Sequence, residues 1–530
     1  MFSKLFKNSS NIKNLKLEPV DLIVLVSGIL VFAAIALATI SNSSIWFDEA
    51  FSAYIIRFNF IDIWSYTSLD VHPPLYYWLL KTWSFLFGTT DIALRSMSVL
   101  FGGVSMVFGY LLLHRNFGRK AAFYGLLVLA LSPILLRYSQ EMRMYTLVLA
   151  IGLAATYVLQ RAIESGSRKL WVVYGVLVSL GMWTHYFAAI IWLAHWAWRA
   201  LQVRREVGKK QLKFREFLKK FFSRNWIMTH VLAVGLFLPW LPYLIKQLII
   251  VQAYGFWIPA VSPVTITNYL TNTVMYQDQG GLSPWLTLAF LVLVPVVVFI
   301  SLRGYKKLSK VQKSVYLLIV ALAAVPPALL ILASMPPLES SFIDRYLVTS
   351  SIAITILIGL SLWFTKELRG KAAKAAVHVL VIGSLIIGVV NVYHYGNYNK
   401  ISKSTSSAKQ MVELIRDQNS GSVPIVTSDV WSYYDTVFYE SKEQPVYFID
   451  LEAYEYGSLE MLRTQDMNKI KDVNEFLDSH NAFWYVGNAG ESHLEFSQST
   501  RVQEQKRLQV MAPIVDKPGY QAVLYTVNEE

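Results

Sequence analysis

The 530-residue chain has no cysteine, and only 16% of its residues carry charge. Without thiols it has no disulfide, no thiolate metal site and no cysteine nucleophile. The shortage of charge removes it from the soluble multi-domain class that its length alone would indicate: 54% of residues are hydrophobic, 14% aromatic, and mean hydropathy is +0.40. It also lacks an internal repeat, a glycine-rich phosphate fingerprint and a histidine spacing that matches a metal motif. What remains is an integral membrane protein.

A bilayer-spanning helix needs about 20 mostly apolar residues. Eleven such segments are expected, at 21–40, 95–113, 121–137, 144–161, 170–185, 187–199, 226–245, 285–302, 314–334, 346–364 and 376–393. Lys4, Lys7, Lys13 and Lys16 precede the first run in the manner of a secretory signal, but the run exceeds the roughly 7–15 residues of a signal core. It reads as a retained anchor.

Every second loop is basic: Arg115, Arg119 and Lys120; Arg161, Arg168 and Lys169; the stretch from Arg199 to Arg224; Arg303 to Lys313; Lys366 to Lys374. Basic loops stay in the cytoplasm, so the N-terminus is expected inside and the chain beyond the eleventh span outside, in what reads as a bacterial plasma membrane. The net charge of +13 then reflects topology and anionic lipid rather than nucleic acid. From Lys400 onward, 12 Lys/Arg stand against 20 Asp/Glu, an acidic exterior tail.

The domain division expected is a membrane domain at 1–395, containing a long first exterior loop at 41–94, and a small extracytoplasmic α/β domain at 396–530. In the tail, SSAKQMVELIRDQ has helical spacing, while VPIVTSD, QPVYFID, NAFWYVGN and QAVLYTV read as strands. In the loop, His72-Pro73-Pro74 cannot continue a helix from upstream, and Pro74 can open one through Tyr76, Trp78 and Phe85. If that helix crossed the bilayer every later loop would invert, so it is expected to lie in the interface.

Ionisable residues gather at the exterior ends of the spans. The loop 41–94 and its exit carry Asp48, Glu49, Asp62, Asp70, His72 and Arg95; RYSQEMRMY carries Arg137, Glu141 and Arg143; WTHYF carries His185 and Tyr186; DRYL carries Asp344 and Arg345. Charges at membrane depth are costly and serve function or pairing. Carboxylates handle protons, and guanidinium groups grip phosphate oxygens in pairs. This mixture suits a lipid-phosphate substrate.

WFDEA after the first span, HPPLYYWL in the same loop, LR before the second span, RYSQEMRMY, THYF and DRYL, in that order, resemble the polyprenyl-phosphate-sugar-dependent glycosyltransferases of the GT-C superfamily. The likeness is to the bacterial branch similar to protein O-mannosyltransferases and the lipid A aminoarabinose transferase, and it covers roughly residues 15–395. The resemblance implies a GT-C-like polytopic α-helical fold and a sugar transfer, with inversion, from a polyprenyl-phosphate donor to an extracytoplasmic glycan, lipid or protein. It implies Asp48 as general base. Glu49 supports Asp48, binds the acceptor or shares a metal; Glu141 is a second candidate acid. Arg137, Arg143 and Arg345 are candidate phosphate ligands, and Arg95, His72, Tyr76, His185 and Tyr186 candidate substrate contacts. Trp46, Tyr76, Tyr77, Trp257 and Tyr276 are candidates to stack on sugar or isoprenoid.

Each role has a plainer counterpart. Adjacent acids at a helix start often cap it, and Glu141 can simply neutralise Arg137 or Arg143, as Asp344 can Arg345. No cofactor is required, although His185 with Asp48 or Glu141 could hold a divalent metal. The competing reading is a transporter or lipid-linked sugar flippase with its charges along a translocation path.

Overall fold

The computed structural model describes residues 17–207, 214–254, 258–276, 283–395, 408–418, 423–440, 444–449, 457, 461–462, 468–488, 500–512 and 517–528. The chain divides into two compact units. One comprises Met1–Thr39, His72–Tyr76 and Arg95–Tyr393; the other comprises Ile40–Val71, Tyr77–Leu94 and His394–Glu530.

The first unit is helical, with a helix at each of the eleven expected spans. Among the described residues, eight helices are long and apolar enough to cross a membrane. A ninth joins them if Arg119–Ala130 and Pro133–Ser139, bent by 54°, make one span. The bend has a local cause: Pro133 offers no N–H to the preceding turn, and the Ser132 hydroxyl accepts from the Leu135 N–H (3.4 Å), starting a new helix. Two further helices fall short of that measure. Arg168–Thr184 has 17 residues, a rise of about 26 Å, and Ala188–Val207 carries Arg199, Arg204 and Arg205.

Helix packing in this unit uses small residues where backbones must approach. A Cβ added to Gly359, in Val348–Phe364, would lie 2.9 Å from the Cα of Gly125, in Arg119–Ala130. Elsewhere a buried acid fastens the first helix, Pro19–Ala38. Asp21 accepts from Arg119 Nε (2.6 Å), the Tyr110 hydroxyl (3.0 Å) and the Glu18 N–H (2.8 Å), and lies 3.1 Å from His114 Nε2. The same helix leaves Leu22, Ile23 and Leu30 exposed, as a lipid-facing surface requires.

The second unit combines helices of the first loop with the C-terminal part of the chain. Phe47–Ile55 is followed by Phe60–Thr67, whose N-cap Asn59 accepts from the Ile61 and Asp62 N–H groups at 2.9 Å each. A third helix, Leu75–Phe87, starts just beyond the two prolines. Its 13 residues rise about 20 Å, too little for a hydrocarbon core of about 30 Å. It is fastened to its neighbours instead: Trp78 Nε1 donates to the Phe60 carbonyl and Lys81 Nζ to that of Ile56, both at 2.9 Å.

The C-terminal part carries one six-stranded sheet: β1 (Ile425–Thr427), β2 (Val446–Ile449), β3 (Lys469–Ile470), β4 (Ala482–Asn488), β5 (Val502–Ala512) and β6 (Lys517–Val527), in the order β3-β2-β1-β4-β6-β5. β1 runs parallel to β2 and β4, and β3 parallel to β2; β6 is antiparallel to both β4 and β5. Val426, Phe476, Phe483, Tyr485, Val523 and Tyr525 form its core. The helix Val430–Tyr439 packs on Phe47–Ile55 through rings: Phe47, Phe51 and Tyr54 meet Tyr434 edge to face at centroid distances of 5.8, 5.8 and 5.1 Å. Phe47, Phe51 and Tyr54 are thus packing material within this unit.

Candidate functional site

The turn that follows Pro133–Ser139, residues Gln140 to Arg143, is buried in an otherwise apolar helical unit. Ser98 Oγ donates to the Glu141 carbonyl (2.6 Å), which ties the turn to the helix Asp91–Phe117 three residues beyond the fully buried Arg95. Arg137 Nη1 donates to Glu141 Oε2 (2.6 Å), and its Nε donates to the Tyr276 hydroxyl (3.3 Å). At 5% and 1% exposure, this Arg137–Glu141 pair satisfies the rule that buried charges are held by partners. Of the two readings of Glu141, the geometry displays the counter-ion.

A second group of charges converges on His185. The helix Arg168–Thr184 ends there, and the residue turns extended at φ −163°, ψ 134°. The Phe187 N–H donates to His185 Nδ1 (3.2 Å), so the ring proton resides on Nε2. That Nε2–H is buried with no hydrogen-bond partner among the described residues. Around the ring stand His72, Tyr145 and Tyr346, at centroid distances of 5.4, 6.1 and 5.1 Å. Arg143 Nη2 lies 3.4 Å from His72 Nε2, and both Arg143 and Arg345 bring positive charge to bear on His185. A cavity of about 20 Å³ opens between His185, Arg345, Tyr346 and Tyr145, enough for one oxygen-sized group. A buried N–H donor under the influence of two guanidinium groups suits an anion's oxygen.

Arg345 arrives there from the 3₁₀ turn Asp344–Leu347, directly before the helix Val348–Phe364. Its neighbour Asp344 accepts from Asn272 Nδ2 (2.7 Å); burial raises the Asp344 carboxyl, against the lowering effects of Asn272, Arg345 and Arg137. Tyr186, next to His185, is used differently: its hydroxyl donates to Gln247 and accepts from Trp240 Nε1 (2.7 Å). Tyr76 is buried at 1% exposure. Trp257 lies outside the described residues.

Asp48 and Glu49 belong to the second unit. Both stand in the first turn of Phe47–Ile55, where acids suit the helix dipole. Glu49 is fully buried and closes the helix start, its Oε2 accepting from the Trp46 N–H (3.4 Å). Asp48 stays half-buried, its backbone carbonyl accepting from Ser52 Oγ (2.8 Å). A base needs access to the proton it removes, and of the two acids Asp48 is the one that keeps part of its surface exposed. Glu49 also adds its charge to that of Asp429 beside Asp435; burial first, then those two acids, push the Asp435 carboxyl well above the usual carboxylate range.

The fold therefore gathers His72, Arg143, His185 and Arg345 around one point and joins Arg137 to Glu141. Sequence reasoning missed Tyr145, Ser98 and Asn272. Asn272 had a visible signal, since TNYLTNTV is unusually polar for its apolar surroundings. Among the described residues no group of three or more His, Asp or Glu is placed to hold a metal ion.

A family model described as dolichyl-phosphate-mannose-protein mannosyltransferase matches residues 71–243. No curated protein sequence matches the chain. Among solved structures, ArnT from Cupriavidus metallidurans in the apo state is similar at 12% identity and a TM-score of 0.61, over 96% of this chain and 99% of that one. The same protein bound to undecaprenyl phosphate gives 12% identity and a TM-score of 0.57 over the same shares. At such identity the likeness is one of fold: a GT-C-like, multi-pass α-helical membrane protein with a small β-rich C-terminal extension.

Proposed function

We propose that this chain is a membrane glycosyltransferase that moves a sugar from a polyprenyl-phosphate donor to an acceptor outside the cytoplasm, inverting the anomeric carbon. The observation that carries the reading is the partnerless Nε2–H of His185 set among Arg143, Arg345 and His72. The fold shared with ArnT, one of whose structures holds undecaprenyl phosphate, and the mannosyltransferase model over residues 71–243 support it.

In this mechanism the acceptor hydroxyl oxygen attacks C1 of the sugar while Asp48 takes its proton. The bond from C1 to the phosphate oxygen breaks, and its electron pair leaves on the polyprenyl phosphate. Arg143, Arg345 and the His185 N–H stabilise the charge that develops there. Arg95 and Arg137 add positive field, with Glu141 holding Arg137 in place. Tyr186, its hydroxyl already engaged, acts as wall rather than donor, and Tyr76 is a buried substrate contact. Energy comes from the activated sugar phosphate. The chain crosses the membrane eleven times with its N-terminus in the cytoplasm, which sets Asp48 and the C-terminal extension outside.

The test incubates the purified protein and Asp48→Asn with radiolabelled polyprenyl-phosphate sugars and cell-envelope extract, and follows release of label from lipid. Release that depends on Asp48 is expected. Label that moves across a reconstituted membrane while remaining on its lipid would replace transfer by translocation.

A further inference from the structure

The second unit contains a cavity of about 850 Å³ that the transfer chemistry does not use. Its volume lies in the range of small-molecule sites, about 300–1,000 Å³. Part of the wall is aromatic: Tyr54 and Phe58 from the first loop, Tyr433 and Phe438 from the helix Val430–Tyr439. Polar groups reach in between these rings, namely Arg57, Glu440, Gln444 and Asn468. One guanidinium and one carboxylate leave the lining without net charge, so a polyanion gains little from it.

Arg57 is held for use. Its Nη2 donates to the Val437 carbonyl (3.0 Å), and its guanidinium stacks over the Tyr54 ring at 5.3 Å. The bond to Val437 occupies one of the carbonyls that the end of Val430–Tyr439 leaves unpaired, so the side chain also caps that helix. A planar fork fixed at one nitrogen presents its other N–H groups in a set direction. Aromatic faces with planar polar forks and amides between them match a ligand that has apolar C–H faces and a rim of hydroxyls.

We infer that this cavity binds a neutral oligosaccharide, and that it seats the glycan portion of the acceptor. Only the word acceptor rests on the transferase reading; the binding itself does not. Tyr54 stands six residues beyond Asp48, in the same helix Phe47–Ile55. An acceptor glycan seated here is therefore held by the helix that carries the proposed base.

The experiment uses the full-length protein in detergent, a panel of neutral tri- to hexasaccharides, and sulfated counterparts of each. Binding is measured by calorimetry for the parent, for Arg57→Lys, which keeps charge and loses the fork, and for Thr89→Trp, which fills the cavity from its exposed rim. Circular dichroism melts keep folding separate from binding. The expected result is saturable binding of at least one neutral oligosaccharide, weakened about tenfold or more in both variants, with sulfated forms weaker. Absence of neutral binding, equal affinity in both variants at unchanged melting temperature, or preference for sulfated forms would overturn the inference. Donor cleavage by Asp48→Asn is read separately. Loss of the transfer reading with saccharide binding intact leaves the binding standing and removes only its role as acceptor seat, and the converse removes the cavity alone.

Discussion

Arg137 and Glu141 face each other four residues apart, Nη1 to Oε2 at 2.6 Å, both almost sealed from solvent. Removing one member of such a pair strands the other as a buried charge, at about 3–5 kcal/mol. Glu141→Met and Arg137→Met are each expected to lower the thermal stability of the purified protein, and the two together to restore much of it. Melting curves of the two single variants and the double variant form the cycle that checks this.

Asp48→Asn keeps the shape and removes the proposed base. Turnover is expected to fall by about 10²–10⁴, with donor affinity unchanged. Full turnover in that variant would end the assignment of Asp48.

The anion pocket predicts a different signature. Arg345→Lys and His185→Phe are each expected to weaken donor binding by roughly tenfold or more, since each removes a charge-assisted or geometrically fixed donor. Binding of polyprenyl phosphate without its sugar should suffer equally. If only the sugar-bearing donor is affected, the pocket reads sugar and not phosphate.

At Gly359, a methyl group would press on the Gly125 backbone at 2.9 Å, and no side-chain rotation relieves that contact. Gly359→Ala should cost about 1–3 kcal/mol, and Gly383→Ala, where nothing lies within 4 Å of the added Cβ, should cost less. A comparison of their melting temperatures decides.

Asp435 sets a pH dependence. Its Oδ1 is enclosed with no hydrogen-bond partner among the described residues, and its carboxyl titrates well above the unfolded value of about 4. The folded state therefore holds the proton longer than the unfolded one. This contribution is fully present below the unfolded pKa and is lost as pH rises through the raised one. Asp435→Asn should flatten that decline; a variant whose stability falls with pH as steeply as the parent's would refute it.

Much of the membrane part was legible because hydropathy in a bilayer follows one simple rule, and helices stand where the apolar runs are. The count was harder to read. WVVYGVLVSL looks like a span, yet its helix has only 17 residues. In the tail, strands with aromatic or β-branched runs such as AFWYVGN announced themselves. β5 did not, because VQEQKRLQVMA is an edge strand whose charges discourage further pairing and so resemble a solvated loop. Among site residues, the types were readable but not their pairing: no local pattern tells that Arg143 turns to His72 while Arg137 turns to Glu141. Likewise, nothing in the adjacency of Asp48 and Glu49 says which acid the helix start will bury.

The way the second unit is assembled has a consequence in the order of synthesis. The helix that carries Asp48 leaves the ribosome early, but the rings of Tyr433 and Tyr434 that pack against it come almost 400 residues later. Most of the membrane helices must be threaded before that packing exists. During this interval the loop helices have no finished partner, and a nascent chain truncated anywhere before residue 430 has the proposed base without the surface that holds its helix. The packing that holds the helix of Asp48 thus arrives last, with the tail.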